Sequence, residues 1–418
     1  MLPPEADYWS GDDRTINPTG TSLRVRSLDE TASLAEMVLT EAGITRIADV
    51  TGLDTVGIPV YHSVRPGALP GLNTVTSGKG LTHESARLSA VMEAIERRWC
   101  EPDVDGLISS TYESLVSRGH RVLDPRRLNP RRTHWWSEDS LMTWCPARDL
   151  GREDIVFVPA LAVFTPFSHE ANLFSSNTMG LAIGNAPTEA LLHSLLELVE
   201  HDSTAFGETL GQGHRVRLES LPESARLLCS AFHSAGLDVD VLTYETEIGI
   251  PSFYAAVQDN ERYDGMLFNG GAGCHLNPEL AVLRALTEAA QSRLNVIGGA
   301  REDFSRQAYR RAISFDAVRA NYQAWRSKYS ETDWSYFKQV QERSIDETLS
   351  DVISAVGRAG IDSIYAVELA PRDYPFSVTK TIVPGLEVHH QDRQRVGVRL
   401  DQAMSVRRGK AEKMKHVH

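Results

Sequence analysis

The chain has 418 residues, 41% hydrophobic and 24% charged, close to globular averages, so it can bury a sizeable core and is not disordered along its length. Its 43 Lys and Arg against 56 Asp and Glu give a net charge of −13, which speaks against a generic binder of nucleic acid or of anionic membrane. If such a chain handles a polyanion, local groups or bound cations must reverse the field. Cys100, Cys145, Cys229 and Cys274 are scattered with no CxxC pair, against a zinc ribbon, an iron–sulfur site or a secreted disulfide scaffold. The start, MLPPEADYWSGDD, lacks an apolar signal region, and no apolar run approaches the roughly 20 residues of a membrane helix. The expectation is a cytoplasmic protein without nucleic-acid or membrane partners.

Residues 1–42 read as an N-terminal lead-in, polar through about residue 30. In 44–61, β-branched residues alternate with Gly and Pro, which predicts two strands joined by a turn. Residues 77–99, SGKGLTHESARLSAVMEAIERRW, predict a glycine turn and a helix. Residues 121–165 mix short strands, IVFVPALAVF the clearest, with Pro- and Arg-rich loops. Residues 177–202, NTMGLAIGNAPTEALLHSLLELVEHD, predict a second turn and helix, with Asn185 and Pro187 as start signals. Residues 214–245 read as a helix and then a strand from Val239 to Tyr244. A third turn and helix spans 269–294, NGGAGCHLNPELAVLRALTEAAQSRL, opened by Asn277 and Pro278. Residues 302–360 are mainly helical by pattern, and 391–418 form a polar, basic tail, either a docked arm or frayed.

The three turn–helix units share a register. Gly80 to Glu93 and Gly184 to Glu197 both span 13 residues, and Pro187 to Glu197 and Pro278 to Glu288 both span 10. Three positions after each marked glutamate stands Glu96, Glu200 or Gln291. Residues three and four apart share a helical face, so Ser89, Glu93, Glu96 and Arg97 form one stripe. Glu189, His193, Glu197 and Glu200 form another, and Arg284, Glu288 and Gln291 a third. On a solvated surface such glutamates are tolerable decoration. If the helices converge, four or five carboxylates share one pocket and need cations; hard oxygen donors favour Mg²⁺, which keeps positions open for phosphate oxygens. An acidic chain could thereby hold an acidic nucleotide.

Other chemistries fit less well. Ser77-Gly78-Lys79-Gly80 could bring a lysine and backbone amides to an anion, but GxxxxGK[ST] is absent. There is no HExxH, no GxSxG, and no completed GxGxxG around Gly270, Gly271 and Gly273. Adjacent His389 and His390 would point opposite ways on a strand.

In SGKG (77–80), SAVMEAIERR (89–98), NTMGLAIG (177–184), EALLHSLLELVEHD (189–202) and TEAAQSR (287–293), the sequence resembles the YcaO superfamily, with family-like features from about Gly43 to Asp303. The resemblance implies an α/β, YcaO-like fold of quasi-repeated strand–turn–helix units converging on a nucleotide site, with the catalytic domain over 43–390. It implies an ATP- and Mg²⁺-dependent enzyme that activates a peptide backbone amide by O-phosphorylation in ribosomal peptide modification. By the same resemblance Glu93, Glu96, Glu197, Glu200 and Glu288 would hold metal. Lys79, Ser89, Asn177, Glu189, Gln291 and Arg293 would contact nucleotide, and Arg97 and Arg301 would be catalytic. His201 stands where the family has a basic residue. The C-terminal MKHVH lacks the proline-rich ending of azoline-forming members. The pattern is instead similar to standalone, TfuA-associated or bottromycin-type members, which make thioamides, thiazolines or macrolactamidines. Implied partners are a precursor peptide, a TfuA-like protein and a second copy as homodimer; the alternative is a non-catalytic nucleotide-binding scaffold.

Overall fold

A computed structural model describes residues 4–10, 20–102, 106–168, 172–259, 265–302, 314–338, 340 and 343–415. In chain order the helices are α1 (Leu28–Val38), α2 (His83–Trp99), α3 (Tyr112–Ser117), α4 (Pro187–Leu210), α5 (Glu223–Ser234), α6 (Pro278–Gly298), α7 (Phe315–Arg326), α8 (Ile345–Arg358) and α9 (Val398–Lys415). The strands are β1 (Arg46–Asp49), β2 (Val60–Val64), β3 (Val75–Lys79), β4 (Ile108–Thr111), β5 (Leu141–Asp149), β6 (Ile155–Pro159) and β7 (Leu181–Gly184), then β8 (Gly213–Val216), β9 (Leu237–Tyr244), β10 (Ser252–Asp259), β11 (Phe268–Cys274), β12 (Ser330–Thr332), β13 (Tyr365–Glu368) and β14 (Ser377–Ile382). This is the mixed α/β architecture expected.

Three sheets have the orders β1-β2-β3, β4-β5-β13-β14-β7 with β6 beside β5, and β11-β10-β9-β8-β12. The strands of the three repeated units, β3, β7 and β11, each end their own sheet. Each then turns into the helix that packs on it: α2 on β3, α4 on β7, α6 on β11. The units also interlock in a cycle, since α2 touches β7, α4 touches β11 and α6 touches β3. A closed ring of three edge strands and three helices points the equivalent helical faces at a common centre.

Glycine makes that packing close. A Cβ at Gly184 would lie 2.5 Å from Ala190 N, and one at Gly78 or Gly271 would fall inside the backbone at Ala90 or Ala289. The glycine-rich character of the units is thus a requirement of helix-on-strand contact.

The core divides accordingly. Leu191, Leu192, Leu195 and Val199 of α4 pack with Ile345, Leu349 and Val352 of α8. α5 and α6 cover one face of the five-stranded sheet through Phe232, Val282 and Leu286. Trp144, Val158 and Leu173 fill the six-stranded end, and Ala35 and Val38 of α1 seat on Leu88, Val91 and Ile95 of α2.

Several local expectations are refined. The second strand of 44–61 starts only at Val60, after a 3-10 turn at Thr51–Leu53. Asn277 caps α6, its side chain accepting from Glu279 N–H, but Asn185 is no cap: Ala186 holds that position in α4. Residues 302–360 carry α7 and α8 with β12 between them; 303–313 lie outside the described residues. The C-terminal segment docks. Leu400 is buried, Arg399 pairs with Asp202 at 2.6 Å, and Arg395 donates to Leu128 O at 2.6 Å. Among the described residues no helix is long and apolar enough to cross a membrane.

Candidate active site

At the centre of the ring lies a cavity of about 440 Å³. Lys79 of β3, Ser89, Glu93, Glu96 and Arg97 of α2, Glu189 and Glu197 of α4, and Glu288 and Gln291 of α6 line it, with Arg301 just beyond α6. Ten of the named candidates therefore meet in one place.

Charge organises this centre into two groups joined through Glu197. In the first, Arg97 pairs with Glu93 at 3.3 Å and stands 3.9 Å from Glu96. Glu96 also accepts from Ile183 N–H of β7 at 3.2 Å, one of the bonds that locks the ring. Burial, with the neighbouring Glu197 and Glu93, pushes the Glu96 carboxyl up to about 8 although Arg97 opposes this. Burial would depress Arg97, but Glu96 and Glu93 hold it above its ordinary value. In the second group Lys79 pairs with Glu288, which also accepts from Ala272 N–H at 3.3 Å. Despite burial, Lys79 holds Glu288 below the usual carboxylate range. Buried Glu200, facing Glu288, is raised by burial and by that like charge. It lies behind the cavity wall, not on it. His201 stands 3.7 Å from Glu197, which lifts its imidazole against the effect of burial.

Among the described residues these carboxylates do not close into a three-ligand shell; protein cations hold most of them. The donor set nevertheless fits a divalent cation. Its ligands are hard oxygens, and burial and mutual repulsion lift two of its carboxyls, Glu96 and Glu200, which a cation would relieve.

A wall of the cavity comes from the lead-in, which the motif reading passed over. Thr21, Ser22, Arg24, Arg26 and Thr31 line it. Glu189 is 1% exposed and holds this segment: it accepts from Arg24 Nη1 at 3.1 Å, Val25 N–H at 3.0 Å and Asn185 N–H at 3.1 Å. Thr31 donates to Asn185 Oδ1 at 3.0 Å. Glu189 is thus committed to positioning Arg24 and Asn185. Arg24 stands against His193, whose imidazole burial and nearby Arg24 and Arg284 force well below its ordinary value, so it is neutral. Arg284 lines the cavity as well, on the α6 stripe the sequence outlined. Gln291 donates to Ser77 O, closing α6 onto β3.

Two named residues lie elsewhere. Asn177 does not line this cavity; its side chain accepts from Met179 N–H at 3.1 Å, ordinary turn chemistry, and it borders a separate small cavity. Arg293 is fully buried on another face of α6, donating to Asp54 at 2.7 Å and Asp259 at 2.8 Å. The signal was available: two residues beyond Gln291 is about 200° around a helix. Asn185, read as a helix start, occupies the cavity that Asn177 does not.

Lys380 of β14 carried no motif. It is buried behind the first carboxylate group, donating to Asn177 O at 3.0 Å and Met179 O at 2.6 Å, and burial lowers it to about 8 despite Glu197.

Comparison with known proteins bears on the family and the fold. Residues 77–387 match the family model described as YcaO cyclodehydratase, ATP- and Mg²⁺-binding. An uncharacterised protein of Methanothermobacter thermautotrophicus is 35% identical over 87% of this chain and 94% of its own. A Rhizobium leguminosarum protein described as lying in the tfuA 3′ region is 32% identical over 90% of this chain and 89% of its own. Among solved structures, YcaO from Methanopyrus kandleri, bound with AMPPCP and Mg²⁺, superposes with a TM-score of 0.76 at 23% identity, covering 90% of this chain and 96% of that one. A heterocyclase in complex with substrate and cofactor gives 0.73 at 18% identity, over 92% and 55% of the two chains. With its ring of edge strands and its family model spanning most of the sequence, the chain belongs to the YcaO family.

Proposed function

We propose that this protein uses Mg-ATP to activate a peptide backbone amide by O-phosphorylation, in the modification of a ribosomally made peptide. The observation that carries the reading is the convergence of Glu93, Glu96, Glu197 and Glu288 with Lys79, Arg24, Arg97, Arg284 and Arg301 on one cavity. Alternating carboxylates and guanidinium or ammonium groups match a polyanion that arrives with its own divalent cations. An amide oxygen is a poor leaving group; carrying a phosphoryl group it departs as phosphate, once a nucleophile has added at the carbonyl carbon.

Glu93, Glu96, Glu197, Glu200 and Glu288 would hold Mg²⁺, which when bound supplies neutralisation of phosphate and carboxylate charge. Lys79, Arg97, Arg284 and Arg301 would face phosphate oxygens, where positioning and charge balance do most of the work of phosphoryl transfer. Ser89, Gln291 and Asn185 supply neutral hydrogen bonds, and Glu189 fixes Arg24 as the wall of the nucleotide seat. Arg293 supports α6 from behind. Neutral His193, free of charge of its own, suits an uncharged part of the ligand.

The nucleophile decides the product: sulfide gives a thioamide, a Cys, Ser or Thr side chain an azoline, an amine a macrolactamidine. The relative in the tfuA 3′ region supports a TfuA-like partner and, with it, the thioamide product. The test is mass spectrometry of a precursor peptide co-expressed with the full chain. Exchange of one oxygen for sulfur marks a thioamide and loss of water a cyclised product. Glu93→Gln and Glu200→Gln should each abolish modification and ADP release. Full activity in both variants refutes the assignment, and tight Mg-ATP binding without turnover identifies a scaffold.

A further inference from the structure

A second cavity, of about 390 Å³, opens beside the first. Phe268, Asn269 and Gly270 at the start of β11 form one wall, and Ser292, Asn295 and Val296 at the end of α6 the other. Ser292, Asn295 and Arg301 border both cavities, so the two lie side by side. We infer that this second cavity seats an extended stretch of the peptide substrate, paired as an added strand on the edge of β11. This deepens the reading given above and rests on it.

Two independent features point to a peptide. The first is Asn269. Its side chain is 8% exposed, and its Oδ1 has no hydrogen-bond partner among the described residues. An unpaired buried carbonyl oxygen costs on the order of 1–3 kcal/mol, a cost that an incoming N–H removes. Asn269 belongs to the same alternating row as Gly271 and Gly273, which face α6, so its amide lies on the cavity side of the strand.

The second is the strand itself. Among the described residues β11 is terminal in its sheet, paired on one side with β10. Ala272 N–H is turned away from β10, because it donates to Glu288. In an antiparallel ladder the backbone groups alternate inward and outward in steps of two residues, so the N–H and C=O of Gly270 point outward as well. A peptide pairing there presents backbone amides, and strand addition reads a main chain while tolerating varied side chains. Moving along β11 from Gly270 to Ala272 covers about 7 Å and ends at Glu288 and Lys79. A peptide carbonyl that far beyond the paired residue enters the nucleotide cavity.

The test uses short randomised peptides selected by display on the full chain with Mg-ATP present. An enriched sequence is then synthesised plain and with single backbone N-methyl groups. Methylation at alternate positions should weaken binding about tenfold, while the intervening positions tolerate it, as a one-sided strand pairing demands. Asn269→Leu, close in volume, should weaken the plain peptide by a similar factor. Indifference to every N-methyl group, or failure of any peptide to enrich, overturns the groove. Calorimetry of wild-type chain with Mg-ATP separates the cases: intact nucleotide binding leaves the broader reading standing, and absent binding removes both.

Discussion

The buried carboxylates make the stability of this protein depend on pH in an unusual direction. Burial, with Glu197 and Glu93 close by, raises Glu96 from an ordinary 4.5 to about 8. Between those values the folded chain holds a proton that the unfolded chain has released. For such a group the stabilisation is complete below the ordinary value and is lost as pH rises through the folded one. Each pH unit over which the states differ by a full proton is worth about 1.4 kcal/mol. Tapering near the upper end leaves about 2 kcal/mol between about pH 6 and pH 8, or about 2 °C in Tm for a chain of this length. The assay is thermal unfolding in EDTA at both pH values, for wild type and Glu96→Gln. The wild type should lose this increment relative to the variant as pH rises. Mg²⁺, which prefers the ionised carboxylate, should stabilise the wild type more at the higher pH and reduce the difference. Equal pH slopes in the two proteins, or a Mg²⁺ effect indifferent to pH, would refute the reasoning.

Other perturbations separate the site from its supports. Arg24→Ala should weaken Mg-ATP binding by about tenfold or more through loss of a charge-assisted contact. Asn177→Ala, outside the cavity, should leave that affinity unchanged; calorimetry distinguishes the two. Arg293→Met takes the guanidinium away from buried Asp54 and Asp259 and is expected to cost about 3–5 kcal/mol in urea unfolding. Little change there would mean the two aspartates find other partners. Gly271→Ala drives a methyl group into the α6 backbone, 2.6 Å from the Glu288 carbonyl carbon, and should lower stability by about 3 kcal/mol. A melt unchanged from wild type would show that β11 and α6 can part at little cost.

Local chemistry wrote much of the site into the chain. Apolar spacing of about 3.6 residues marks α2, α4 and α6, and the matched glutamates follow because that period fixes which residues share a face. Asn277 and Pro278 announce α6, but the glycines that read as turns, Gly78, Gly184, Gly271 and Gly273, lie in strands β3, β7 and β11, where the close approach of a helix calls for them. Arg293 shows the same periodicity at work, since its position two residues past Gln291 already turns it to another face. What the chain order cannot express is the ring. β3, β7 and β11 belong to three different sheets, and only their long-range pairings put all three at sheet edges with each helix against the next strand. That closure brings Glu93, Glu197 and Glu288 together. It also folds Arg24 in from a polar lead-in with no motif, through a hydrogen bond to Glu189 across 165 positions of sequence. Periodicity decides the direction of a side chain on its own helix; the burial and mutual repulsion that lift Glu96 exist only once separate segments have displaced water from around it.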